Sequence, residues 1–177
     1  MNRRLTEPIP AREAAASTPV RAVVALGSNL GDREAMLTAA VHALAHLPLV
    51  DAVVASEPIE SVAMTPEGPD DTRPAYLNAV ALVTTRQAPS VLLGHLQRIE
   101  KDHGRVRGDR VWADRTLDLD LIAYGDVRSD DTALTLPHPR AHERDFVLAP
   151  WLVVDPDAEL PGYGRVDRLL ADLRSSR

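Results

Sequence analysis

Hydrophobic and polar positions alternate along this chain between short apolar runs and helical spacings. Residues 20–26 form an apolar run that reads as a buried strand, broken by Gly27, Ser28 and Asn29. Leu37, Ala40, Val41 and Leu44 then recur at helical intervals, which predicts an amphipathic helix over 32–47, ended by Pro48. A second strand is predicted over 50–59. Residues 60–74 hold a glycine and three prolines among acidic residues, so they read as a long loop. Residues 76–85, rich in Val, Leu and Thr, make a third strand. Pro89 and Ser90 open a second helix with Leu92, Leu93, Leu96 and Ile99 on its core face, and Gly104 stands at its C-terminal cap. Residues 104–115 form a polar loop, and 117–124 a fourth strand stopped by Gly125.

The order β-α-β-β-α-β predicts an α+β fold of ferredoxin-like type, with one antiparallel sheet and two helices on one face. C-terminal additions follow: a short strand at 134–136, a helix over 143–153 interrupted near Pro150, and a last helix over 166–173. Residues 1–19 lack any sustained period and read as a flexible tail, leaving 20–177 as a single domain.

Composition narrows the function. There is no cysteine, which excludes disulfides, thiolate metal sites and a cysteine nucleophile. The formal net charge of −6 disfavours binding to nucleic acid, which needs a basic surface. No apolar run approaches the roughly 18 residues that span a bilayer, and the N-terminus lacks a basic-then-apolar leader. The expectation is a cytoplasmic monomer with small-molecule substrates and no membrane partner.

The chemistry concentrates at R-T-L-D-L-D-L-I, residues 115–122. Residues two apart on a strand share a face, so Asp118 and Asp120 project together while Leu117, Leu119 and Leu121 face the core. Two adjacent carboxylates repel, and a divalent cation relieves the conflict; magnesium suits an oxygen-donor pair completed by phosphates. Taken alone, the pair fits a solvated strand edge equally well. Arg105, Arg107, Arg110 and Arg115 lie in the loop just before it, and guanidinium forks match phosphate oxygens. Carboxylates for a metal beside arginines for phosphates are the apparatus of phosphoryl transfer. His138, in L-P-H-P-R, is placed to donate to a phosphate, although alone it reads as a surface-turn histidine. Of His42, His46, His95, His103 and His142, no pair has a persuasive zinc-site spacing. Neither G-x-x-x-x-G-K-[ST] nor G-x-G-x-x-G is present, so arginines and metal must hold the nucleotide.

Five segments together carry a resemblance: A-L-G-S-N-L-G-D at 25–32, Y-L-N-A-V at 76–80, Q-R-I-E-K-D-H-G-R-V-R at 97–107, W-A-D-R-T-L-D-L-D-L-I-A-Y-G at 112–125 and L-P-H-P-R-A-H-E-R-D-F-V-L-A-P at 136–150. In them the chain resembles the 6-hydroxymethyl-7,8-dihydropterin pyrophosphokinases of folate biosynthesis. The resemblance implies transfer of pyrophosphate from ATP to the pterin hydroxymethyl oxygen. It implies that Asp118 and Asp120 hold two magnesium ions, with Arg105 and Arg115 offsetting charge during transfer. It places Gln97, Glu100, Arg107, Arg110, Trp112, Leu121, Leu134, Thr135, His138 and Arg144 at the nucleotide. It places the pterin between Trp112 and Phe146, with Tyr76 and Asn78 lining its pocket and Ser61, Val62 and Met64 beside it. The chain departs from the family pattern where Val62 replaces a usual proline and Val111 a usual basic residue. A nucleotide- or pterin-binding module with weakened chemistry, or a metal-dependent phosphohydrolase, are the alternatives that an activity assay separates.

Overall fold

The computed structural model of the chain describes residues 18–65, 68–70, 72–104 and 116–176. In chain order the elements are β1 (Val20–Ser28), α1 (Arg33–Ala45), β2 (Val50–Ala55), β3 (Ile59–Ser61), β4 (Ala63–Thr65), β5 (Gly68–Asp70), β6 (Tyr76–Thr85), α2 (Pro89–Asp102) and β7 (Asp118–Tyr124). There follow β8 (Ser129–Asp131), β9 (Leu134–Leu136), a 3-10 turn (Ala141–Glu143), α3 (Asp145–Val154), β10 (Glu159–Leu160), β11 (Gly164–Arg165) and α4 (Val166–Ser175). The predicted tail lies, up to residue 17, outside the described residues.

The main sheet runs β2-β6-β1-β7 and is antiparallel throughout, with β3 extending β2's side of β6. The ferredoxin-like α+β architecture predicted from the pattern is thus present. Local chemistry sets its helix ends. Asp32 caps α1, its Oδ1 accepting the Ala35 N–H at 3.0 Å. Pro89 takes the first turn of α2, where its missing N–H costs nothing. Gly104, at φ +85°, turns the chain off the far end of that helix.

Alternation along the strands divides the apolar residues between two cores. Ala22, Val24 and Leu26 of β1, Ala79, Ala81 and Val83 of β6, and Leu119 and Leu121 of β7 meet Leu37, Ala40 and Leu44 of α1 and Leu92, Leu96 and Ile99 of α2. On the opposite face Val23, Val80, Leu82 and Ile122 meet Val147, Leu148 and Trp151 of α3 and Val166 and Leu170 of α4. A bulge in the β1–β7 ladder puts both Ile122 and Ala123 into the second core. It thereby shifts the parity of β7 and turns Tyr124 into the first core, where its hydroxyl donates to the Gln87 carbonyl.

As predicted, α1 and α2 share one face of the sheet; the C-terminal helices α3 and α4 cover the other, because β1, β6 and β7 are apolar on both sides over part of their length. Three expectations need correction. The strand read as 50–59 is two strands, since Ser56 leaves the ladder and its hydroxyl accepts the Val80 N–H at 3.1 Å while its own N–H reaches the Val80 carbonyl at 2.9 Å. The segment read as a loop over 60–74 contains the end of β3 and the β4–β5 hairpin. Pro150 does not interrupt its helix: α3 starts at Asp145, which puts Pro150 inside a ten-residue helix.

Leu96 is wholly buried beneath α2, whereas Val153 of α3 is 66% exposed. Leu96→Ala should lower the unfolding free energy by about 2–5 kcal/mol. Val153→Ala should change it by less than about 0.5 kcal/mol, both measured by chemical denaturation.

Candidate active site

Among the described residues, α3 and α4 cover only part of the second face of the sheet. Toward the N-terminal end of β7 the same face continues past α3 with Ala25 and Gly27 of β1, Tyr76 and Asn78 of β6, and Asp118 and Asp120 of β7. Register fixes this patch: Gly27 lies opposite both Asn78 and Asp118, and Ala25 lies opposite Asp120. Gly27 leaves its backbone bare between these neighbours, where a Cβ would make ordinary contacts. A Cβ there would stand 3.5 Å from Asn78 Oδ1, 3.9 Å from Tyr76 Cδ1 and 4.0 Å from Asp118 Cβ. The glycine is therefore the floor on which Tyr76, Asn78 and Asp118 meet.

Five hydrogen bonds hold this floor in place. The Ser28 hydroxyl donates to the Thr116 carbonyl at 2.7 Å, which fixes the approach to β7. β7 is an edge strand, and the outward N–H of Leu119, between the two aspartates, is accepted by Glu100 Oε1 at 2.8 Å. Glu100 is 3% exposed, so this is a buried, charge-assisted bond. On the far side, Arg33 donates to the Ala75 carbonyl at 2.8 Å and to Glu60 Oε1 at 2.9 Å. Ala75 and Glu60 precede Tyr76 and Ser61, which are ladder partners, so Arg33 straps β3 to the start of β6. Asn78 Nδ2 in turn donates to Ser61 Oγ at 2.8 Å.

The start of α3 closes the patch. Arg144 NH1 donates to Asp120 Oδ2 at 3.0 Å, and its guanidinium carbon lies 5.9 Å from the centre of the Phe146 ring. His138 follows the turn after β9, its N–H bonded to the Ile122 carbonyl at 2.8 Å. Its Nδ1 accepts the Arg140 N–H at 3.2 Å, so in the neutral ring the proton sits on Nε2, which lies 4.0 Å from Asp120 Oδ2. Burial pushes the His138 imidazole below its ordinary range. Asp120 pulls it partly back, while Arg144 and Arg140 push it further down. The neutral ring is thus a hydrogen-bond donor that adds no charge.

Of the residues singled out from sequence, the structure brings together Asp118, Asp120, Tyr76, Asn78, Ser61, His138, Arg144 and Phe146. Val62 is exposed just beyond Ser61. Leu121 is buried in the first core, so a contact from it to a nucleotide must use its backbone. Glu100 spends one oxygen on Leu119, and Gln97 is exposed on α2. Leu134 and Thr135 lie on β9, half-buried, with Thr135 Oγ1 donating to the Asp131 carbonyl at 3.1 Å. Arg105, Arg107, Arg110, Trp112 and Arg115 fall outside the described residues, as does the Met64 side chain. Sequence reasoning missed the Arg33 strap and the strand-holding role of Glu100. A buried carboxylate on the core side of α2, one residue after Ile99, was the available signal for the latter.

A family model described as 7,8-dihydro-6-hydroxymethylpterin-pyrophosphokinase matches residues 23–156. The chain belongs to this family. Among relatives, the 2-amino-4-hydroxy-6-hydroxymethyldihydropteridine pyrophosphokinase of Mycobacterium leprae is 45% identical, with 86% of this chain and 83% of that protein covered. The enzymes of the same name from Haemophilus influenzae and Pseudomonas aeruginosa are 42% and 41% identical, each over 85% of this chain and 91% and 90% of theirs. In fold the chain is similar to a crystal structure of the Plasmodium falciparum HPPK-DHPS protein, with a TM-score of 0.67 and 11% identity over 92% of this chain. The chain spans just under half of that protein, 47% of its length.

Glu100 acts on the carboxylates through the strand between them. Glu100→Ala should leave Leu119 N–H unpaired beside Asp118 and Asp120, raise the magnesium concentration needed for half-maximal turnover, and lower kcat. Glu100→Gln keeps a carbonyl acceptor and should restore most of the loss. Equal magnesium dependence in all three proteins would remove the positioning role.

Proposed function

We propose that this chain transfers the pyrophosphoryl group of ATP to the hydroxymethyl oxygen of 6-hydroxymethyl-7,8-dihydropterin, giving AMP and the pterin diphosphate. The observation that carries the reading is the meeting of Tyr76, Asn78 and Asp118 around the bare backbone of Gly27. It supports a reading in which the acceptor lies beside Tyr76 and Asn78, next to the carboxylates. The acceptor oxygen bonds to the β-phosphorus, the bond from that phosphorus to the α,β-bridging oxygen breaks, and AMP leaves with that oxygen. The hydroxyl proton passes to solvent.

Asp118 and Asp120 fit magnesium by donor type, both being carboxylates on one face of one strand. Among the described residues no group of three or more His, Cys, Asp or Glu converges, so further ligand positions fall to phosphate oxygens and water. Asp118 and Asp120 would hold the two magnesium ions, which would supply positive charge to offset that of the phosphates. The chain's own residues do the rest. Arg144, already paired with Asp120, offsets the charge of that carboxylate and is held at the edge of the cleft. Neutral His138 offers Nε2–H to a phosphate oxygen. Asn78, its amide held by Ser61, meets the polar edge of the pterin, and Phe146 supplies an apolar ring for one face. Arg105 and Arg115 offset charge developing in transfer, Arg107 and Arg110 add to the phosphate site, and Trp112 completes the ring clamp. Gln97, Glu100, Leu121, Leu134 and Thr135 border the nucleotide. No general base is needed where alignment and charge neutralisation carry the rate. No helix among the described residues is long and apolar enough to cross a membrane. The reading is of a cytoplasmic monomer in which 20–177 acts as one catalytic unit.

Incubated with ATP, magnesium and the hydroxymethyl-dihydropterin, the protein should release AMP. ADP, or phosphate released without pterin, would overturn the assignment. Asp118→Ala and Asp120→Ala should each lower turnover by at least about 100-fold while the far-ultraviolet circular dichroism spectrum stays that of the folded parent. Asn78→Ala should raise KM for the pterin roughly 3–10-fold and leave KM for ATP unchanged, the loss of about one hydrogen bond. Chelation of divalent ions should abolish turnover reversibly.

A further inference from the structure

Remote from the cleft, at the opposite end of α1 from Asp32, two imidazoles stand together. His42 and His46 are four residues apart, both exposed, with ring centroids 4.1 Å apart and planes inclined by 30°. Residues four apart share one face of a helix. His46 Nδ1 lies 2.7 Å from the His42 carbonyl oxygen. A carbonyl only accepts, so Nδ1 carries the proton and the neutral ring keeps its lone pair on Nε2. Donation of one ring N–H to a backbone carbonyl is the arrangement that fixes tautomer and orientation in metal-ligating histidines. His46 is also the C-terminal cap residue of α1, where the helix dipole favours a cation.

We propose that His42 and His46 form a surface chelate for a late first-row divalent cation: copper, nickel or zinc. Metal–nitrogen bonds of about 2.0–2.1 Å place two ligating nitrogens roughly 3.3 Å apart at the tetrahedral angle. The rings, with centroids 4.1 Å apart on exposed side chains, stand close enough that splaying them brings one nitrogen of each to a common ion. Imidazole selects these ions over magnesium, which takes oxygen ligands, and affinity follows the order nickel below copper above zinc. Since no third His, Cys, Asp or Glu converges here among the described residues, water completes the coordination and the ion exchanges readily. The chelate bridges the last turn of α1 and tightens that helix without touching the cleft.

The full-length protein is titrated with Zn2+ and with Cu2+ in excess Mg2+, alongside His42→Ala, His46→Ala and the control His95→Ala. One equivalent should bind to the parent and to His95→Ala, with nitrogen couplings in the Cu2+ paramagnetic resonance spectrum. At a tenfold excess over Kd, Zn2+ should raise the melting temperature by roughly 3–6 °C. Either alanine variant at 42 or 46 should lose that equivalent and that shift while keeping its magnesium-dependent turnover. Unchanged stoichiometry in both variants, or no binding to the parent, overturns the proposal. Because the readouts are binding and melting, failure here leaves the pyrophosphokinase reading standing, and the reverse holds too.

Discussion

The two-residue period of β7 governs the site. Leu119 and Leu121 enter the core beneath α1 and α2, so Asp118 and Asp120 must face the other way. A slip of one residue would drive both carboxylates into that core and expose the leucines. Burying one unpaired carboxylate costs several kcal/mol, whereas a single hydrogen bond contributes about 1 kcal/mol net. The hydrophobic pattern therefore selects the register. The bonds from Ser28 to Thr116 and from Leu119 to Glu100 hold the strand within it, at a level of positional precision that packing alone does not supply.

Why the carboxylate face stays open follows from what covers its other half. The residues of β1, β6 and β7 nearest α3 are Val23, Val80, Leu82 and Ile122, and they demand apolar cover. Farther along the strands, beyond Ala25, the same face carries Gly27, Asn78, Asp120 and Asp118, which offer α3 nothing apolar to bury. The helix thus ends where apolar surface ends. Its first residues lie at that boundary: Arg144 before it pairs with Asp120, and Phe146 packs against the edge of the second core. Core and cleft are two halves of one sheet face, and the same helix packs one and furnishes the other.

The main strands and helices were legible because each carries a period or a stop signal: alternation in β6 and β7, Pro89 and Gly104 around α2. What was not legible depended on pairing at a distance. Ser56 breaks a strand by bonding to Val80, twenty-four residues away, and nothing in its neighbours announces that. The covering of the second face by α3 and α4 required knowing that Val23 and Val80 lie on it together. At the site, Asp118, Asp120 and Asn78 were readable as a motif, but Arg33 was not. Its role arises from reaching Ala75 and Glu60, which only the folded chain brings near.

Charge adds one more constraint. The chain carries a net −6, and a site for a polyphosphate gains nothing from a repulsive long-range field. Screening limits that field to about 8 Å at physiological salt, so contacts inside the cleft decide the balance. Arg144 sits within that range of the carboxylates, yet it is bonded to Asp120, which makes the pair close to neutral. His138, held neutral by burial, adds no charge either. Among the described residues the floor of the cleft is therefore short of positive charge unless cations join Asp118 and Asp120. A cation held by Asp118 and Asp120 would supply that charge, and would couple nucleotide binding to cation binding on electrostatic grounds.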